Sequence, residues 1–272
     1  MKKILLTAIL ASVFVLFAAC GGGSEDEAAE GLLEDGKLTV GVTAGPHEEI
    51  LEKVKELAEE EDLTIEIVSF SDYVMPNVSL SEGELDLNSF QTEPFFDNMN
   101  EERGLDLVKV ADNVTFPMGI YSEKVTDIAD LEDGASIALP SDPTNSGRAL
   151  LLFEQAGLIT LEEGLGVNAT VNDIVENEHN YEFIELDPAQ IPRQLGEVDI
   201  AAINSNFAMD AGLVPGEDSI FIEQDSTFVN LIAVRAENED DPAVQQFIDI
   251  YQSEEVEQFV EDTYQGSVLV GW

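Results

Sequence analysis

Residues 37–61 read KLTVGVTAGPHEEILEKVKELAEEE, and their reading decides the fold. "KLTVGVT" alternates apolar and small or polar side chains, the period of a strand. Gly45 and Pro46 then break the pattern, and proline suits the first turn of a helix because its missing N–H has no partner there anyway. Glu48 and Glu49 fall in that first turn, where acids complement the helix dipole. Ile50, Leu51, Val54 and Leu57 follow on one stripe. A strand running directly into an amphipathic helix is the opening unit of an α/β protein.

The same alternation continues outward. "LTIEIVSF", "LDLNSF", "LDLVKVA", "FPMGIYS", "GASIALP", "YEFIEL", "VDIAAIN", "SIFIEQ" and "FVNLIAVR" read as strands, and helical segments separate them. One lies near Pro76 to Glu82, and another carries "DPTNSGRALLLFEQAGL". "DPAVQQFIDIYQSEEVEQFVEDTY" reads as two closing helices. The predicted fold is α/β with mostly parallel sheets, and its length suits two lobes. In such folds ligands sit beyond the carboxyl ends of the strands.

Ahead of this body stands a targeting segment. Lys2 and Lys3 precede the apolar run "ILLTAILASVFVLF", which is too short for a transmembrane helix. "AAC" follows and holds the only cysteine, Cys20, so no internal disulfide exists. Cys20 after small residues resembles a lipobox, which implies cleavage before it and lipid on its sulfur; an ordinary signal peptide is the alternative. Residues 1–19 are thus expected to be a signal peptide. Residues 20–36, Gly-rich and acidic, are expected to be a lipidated flexible tether.

Charge narrows the function. Eleven Lys and Arg against 57 Asp and Glu give a net charge of −46. That argues against nucleic acid as a partner of the folded body. Scattered acids suit a solvated surface tuned to salt or alkali better than a cation store. No phosphate-binding glycine loop, dinucleotide fingerprint, metalloprotease motif or nucleophile elbow occurs, so the sequence implies no enzyme, no cofactor and no metal. His47 reads as a helix-entry residue, and His179 as an exposed loop residue.

With basic residues so scarce, Arg148 asks for a partner. Thr144 or Asn145 would cap its helix and Gly157 would end it, putting Arg148 in the first turn. A cation there makes sense if it shares an anion with the backbone N–H groups. A salt bridge to a local acid such as Asp142 is the alternative. Asn204 and Asn230 close or occupy apolar strands, where an amide needs hydrogen-bond partners. Tyr73, Phe90, Phe95 and Phe96 fall near predicted strand ends, as core or as the wall of an apolar pocket.

"GPHEEIL", "FSDYVMPN", "LDLNSFQTEPFFDN", "GIYS", "DPTNSGRALLLFEQAGLI", "DIVEN", "VDIAAINSNFA" and "VNLIAVR" resemble, in order, successive blocks of the methionine-binding lipoproteins, the NlpA-type substrate-binding proteins of ABC importers. The resemblance runs from about Lys37 to Trp272. It implies a two-lobed periplasmic-binding-protein fold, type II-like, with two crossovers. Residues 37–117 and 227–272 would form one lobe and 118–226 the other. It implies L-methionine as ligand, an importer's membrane subunits as partners, and anchorage on the extracytoplasmic face of the membrane through Cys20. Another apolar amino acid, a methionine-containing dipeptide or a non-transport surface lipoprotein is the alternative. By the same resemblance Arg148 binds the ligand carboxylate, Asn145, Asn204 and Asn230 supply polar contacts, and Tyr73 and Phe90 line the side-chain pocket. The family usually reads F-Q-H-x-P-Y where this chain reads F-Q-T-E-P-F, so Thr92 and Phe95 stand at pocket positions usually held by His and Tyr.

Overall fold

The computed structural model describes residues 31–33, 36–224 and 227–272. The targeting segment, Cys20 and most of the tether lie outside the described residues.

Strand β1 (Leu38–Thr43) buries Leu38, Val40 and Val42 completely. Helix α1 (Pro46–Glu60) starts on its proline and turns Ile50, Leu51, Val54 and Ala58 inward, while Leu57 is half-buried. In chain order follow β2 (Ile65–Phe70), α2 (Met75–Ser81), β3 (Leu87–Thr92), α3 (Glu93–Arg103) and β4 (Leu107–Thr115). The next stretch holds β5 (Gly119–Tyr121), β6 (Ser136–Pro140), α4 (Pro143–Gln155), β7 (Thr160–Leu161), β8 (Ile174–Glu176) and β9 (Glu182–Leu186). It continues through α5 (Ile191–Gln194), β10 (Ile200–Ile203), α6 (Ser205–Asp210), α7 (Pro215–Asp218) and β11 (Phe221–Ile222). The chain closes with β12 (Val229–Arg235), α8 (Pro242–Tyr251), α9 (Glu254–Tyr264) and β13 (Leu269–Val270).

Two main sheets result. The first has the order β13-β4-β12-β3-β1-β2, and the second β11-β5-β10-β6-β9. Pairings within β2-β1-β3 and within β9-β6-β10 are parallel, whereas β12, β13 and β5 run against their neighbours. β7 and β8 make a separate antiparallel pair. The chain passes between the main sheets twice, from β4 to β5 and from β11 to β12.

Both sheets are covered on both faces, and β12 makes the reason visible. Its Ile232 and Val234 pack into the core shared with α1, α8 and α9, while Leu231 and Ala233 face the opposite cluster with Leu80 and Phe96. The strand side-chain period of two thus serves two cores at once. In the second sheet Ile137 and Leu139 pack against Leu150 and Phe153 of α4, and Ala138 faces Ile191 and Phe207.

Helix α4 starts earlier than its sequence suggests. Asp142, not Thr144 or Asn145, is the N-cap, and its carboxylate accepts from the backbone N–H of Asn145 at 3.0 Å. Pro143 takes the first helical position, as the Asp-Pro pair favours. Arg148 therefore lies in the second turn, beyond the dipole's strongest reach. Gly157, with φ of +74°, ends the helix as expected.

Candidate functional site

The chain ends of parallel strands converge on one cavity. It is lined by Tyr73, which follows β2, and by Phe90, Gln91 and Thr92 at the end of β3. Phe95 comes from the first turn of α3, and Phe116 from the first passage between sheets. Asn145 and Arg148 come from α4, and Asn204, Ser205 and Asn206 follow β10. Asn230 completes the lining, because antiparallel pairing sets it opposite Thr92. All eight residues expected at the site, Arg148, Asn145, Asn204, Asn230, Tyr73, Phe90, Thr92 and Phe95, line this one cavity. Space not filled by atoms amounts to about 360 Å³ there, open solvent included.

One wall is aromatic. The Tyr73 ring lies 6.1 Å from Phe90, 5.7 Å from Phe95 and 4.7 Å from Phe207 between centroids. Burial, reinforced by the negative charge of Asp142, raises the Tyr73 phenol well above its ordinary value, so its hydroxyl keeps its proton. That hydroxyl donates to Asn206 Oδ1 at 2.6 Å. Phe96, the fourth aromatic noted in the sequence, sits instead in the core behind α3.

The other wall is polar and tightly ordered. Asn204 Nδ2 donates to Asn145 Oδ1 at 2.8 Å, and Asn145 Nδ2 donates to Asp142 at 3.0 Å. This chain fixes both amides and leaves Asn204 Oδ1 buried with no donor among the described residues. Asn230 Nδ2 meets His47 Nε2 at 3.4 Å. Burial lowers the His47 pKa to about 3, so the ring is neutral and its Nε2 can accept. His47 does enter helix α1, as read from sequence, yet it also braces a cavity residue. His179 is an exposed loop residue paired with Asp133.

Arg148 has partners that its neighbourhood in the sequence does not suggest. Its Nε donates to Glu223 Oε1 at 3.1 Å and its Nη2 to Glu223 Oε2 at 2.6 Å. Nη2 also donates to the Phe116 carbonyl at 2.8 Å. The guanidinium lies 4.4 Å from the centre of the Phe228 ring, a cation–π contact. Asp142 is not its ion-pair partner; that carboxylate caps α4 instead. Phe116 belongs to the first passage between the sheets, and Glu223 and Phe228 to the second. Arg148 thus ties helix α4 to both.

Glycine 147 lets this helix sit where it does. An added Cβ there would lie 1.9 Å from the Val167 carbonyl oxygen, so only glycine permits that approach.

Several lining residues escaped the sequence. Gln91 is held by Asn77 and Asn88 in a buried amide network. Phe116 carries no local signal. Asn206 stands two positions after Asn204, and nothing local separates it from a helix residue. Among the described residues no cluster of His, Cys, Asp or Glu could hold a metal ion.

The NlpA lipoprotein family model matches residues 38–272. The D-methionine-binding lipoprotein MetQ of Salmonella typhimurium is 40% identical over 271 residues, covering 97% of this chain and all of its own. A solved nutrient binding protein from Burkholderia cenocepacia, bound to methionine, is 42% identical with a TM-score of 0.84. It covers 86% of this chain and 100% of its own. A putative methionine-binding lipoprotein from Bacillus subtilis is 34% identical with a TM-score of 0.84, covering 87% of this chain and 98% of its own. A two-sheet α/β architecture, a cavity at the strand ends and this similarity along nearly the whole chain agree: the chain belongs to the NlpA lipoprotein family.

Proposed function

We propose that the protein captures methionine in the cavity between its two sheets and delivers it to an ABC importer. It is a binding protein, not an enzyme, as are the relatives named for methionine binding. The observation that carries the reading is the cavity's division into an aromatic wall and a polar wall. Arg148, with Asn145, meets the ligand's carboxylate. The buried acceptor Asn204 Oδ1 suits the ligand's ammonium, beside Asn230. Tyr73, Phe90 and Phe95 take the apolar thioether chain.

The sheets act as two lobes, 37–117 with 227–272 and 118–226, closing by a hinge at the two passages. Support comes from sheet membership, since each sheet draws its strands from one of these sets. A signal peptide over 1–19 and lipid on Cys20 would hold the protein to the extracytoplasmic face of the membrane by the tether of residues 20–36. Cys20→Ala is expected to release the protein into the soluble fraction; a variant still membrane-bound after a carbonate wash overturns the anchoring.

Mass spectrometry of co-purifying ligand, followed by calorimetry with L-methionine, D-methionine and leucine, tests the function. Methionine in the purified protein is the expected result. A dipeptide, another apolar amino acid or no small molecule at all would replace the reading.

Thr92 and Phe95 both line the cavity, and Phe95 is buried. Thr92→His with Phe95→Tyr is therefore expected to change the ranking of methionine against norleucine several-fold, the worth of about 1 kcal/mol for one polar contact. Calorimetry showing an unchanged ranking would place both side chains out of ligand contact.

A further inference from the structure

Asn206 is 4% exposed and lines the cavity, yet only half of its amide is used. Its Oδ1 accepts from the Tyr73 hydroxyl, which reaches it from the other sheet's side of the cavity. Its Nδ2 is buried with no acceptor among the described residues. The next residue, Phe207, packs tilted against the same Tyr73 ring, 4.7 Å between centroids. Close packing backs this contact: a Cβ on Gly45, at the start of α1, would lie 3.3 Å from the Asn206 carbonyl oxygen. The Tyr73 hydrogen bond thus sets which way the Asn206 amide faces while the two sides are together. A buried amide donor without an acceptor is costly, so this arrangement is unfavourable until something supplies one. A free amino acid offers one strong acceptor, its carboxylate; the thioether sulfur is weak. Arg148 lines the same cavity as Asn206.

We propose that Asn206 is a further ligand-binding residue, whose Nδ2 donates to the ligand carboxylate while Tyr73 fixes its oxygen across the cleft. This rests on the reading of the cavity as an amino-acid site. Closure of the two sides and recognition of the carboxylate then become one event, because the contact that joins the sides also aims the donor.

Calorimetry with methionine on the full-length protein tests this through a cycle of Tyr73→Phe and Asn206→Ala. Asn206→Ala is expected to weaken methionine binding about 10- to 100-fold, as for a lost hydrogen bond to a charged group. Much of that loss should persist in the Tyr73→Phe background, where no cross-cleft bond exists. If it vanishes there, Asn206 only latches the two sides, and the proposal is wrong. Asn206→Asp keeps the acceptor for Tyr73 but sets a negative oxygen toward the ligand, so it should bind methionine more weakly than Asn206→Ala. An Asp variant matching wild type overturns the assignment. Melting temperatures without ligand check that each variant folds; should the Asp variant not, the cycle alone decides. Wild type that fails to bind methionine defeats the amino-acid reading itself, whereas wild-type binding with a flat cycle defeats only Asn206.

Discussion

Arg148→Ala is expected to lower methionine affinity by about 30- to several thousand-fold, the usual cost of truncating one partner of a buried charge pair. It is expected to cost stability as well. Glu223, its side chain 7% exposed, would lose the guanidinium that holds both its oxygens. An uncompensated buried charge typically costs about 3–5 kcal/mol. The two effects separate on a second substitution: Glu223→Gln in the Arg148→Ala background should restore part of the melting temperature and none of the affinity. Arg148→Lys should recover only a fraction of the affinity, because an ammonium cannot present a planar fork. Affinity within threefold of wild type in Arg148→Ala would remove the residue from the ligand site, leaving it a brace between the passages.

Gly147→Ala, one methyl group on the preceding residue, should be nearly as damaging. Overpacking costs about 1–3 kcal/mol when side chains can yield, and occasionally more. Here the obstacle is the Val167 backbone carbonyl, 1.9 Å from the new carbon, so the helix or the 166–168 turn must move. Any shift of α4 carries Asn145 and Arg148 with it, and displacements of about 1 Å can cost on the order of 100-fold where geometry is demanding. A lower melting temperature with a parallel loss of methionine binding is the expected pair of results. A variant unchanged in both would mean that the turn yields freely.

How much of this was legible in the chain depends on distance along it. The β1–α1 unit could be read directly, because alternation, Pro46 and the Ile50–Val54 stripe are local signals. The two-sheet α/β class followed from repeating that signal, but the sheets are mixed rather than mostly parallel, because β12, β13, β5 and β11 pair antiparallel and nothing local marks a strand's direction. The short strands β7, β8 and β13 were not legible, since their few residues sit in no longer alternating run, unlike β5 and β11. The start of α4 was misplaced because several polar residues compete for the cap, and Asp142 before Pro143 wins it. The site residues came from the family resemblance rather than from periodicity, and the structure gathers them around one cavity. Glu223 could not be found that way: it lies 75 residues from Arg148, and a carboxylate among 57 has nothing local to mark it.

The place of β12 in the first sheet bears on how the molecule assembles. This strand lies between β3 and β4, yet it is made after the whole second sheet. Asn230 pairs with Thr92, and Leu231 with Asp112, across more than a hundred intervening residues. Until that strand emerges from the ribosome, β3 and β4 each show an unpaired edge with nothing between them. The second sheet, by contrast, is drawn from one unbroken stretch, residues 119–222. Non-local pairings form late because the loop they close must be ordered first. The part of the chain synthesised first is therefore the part whose sheet is finished last.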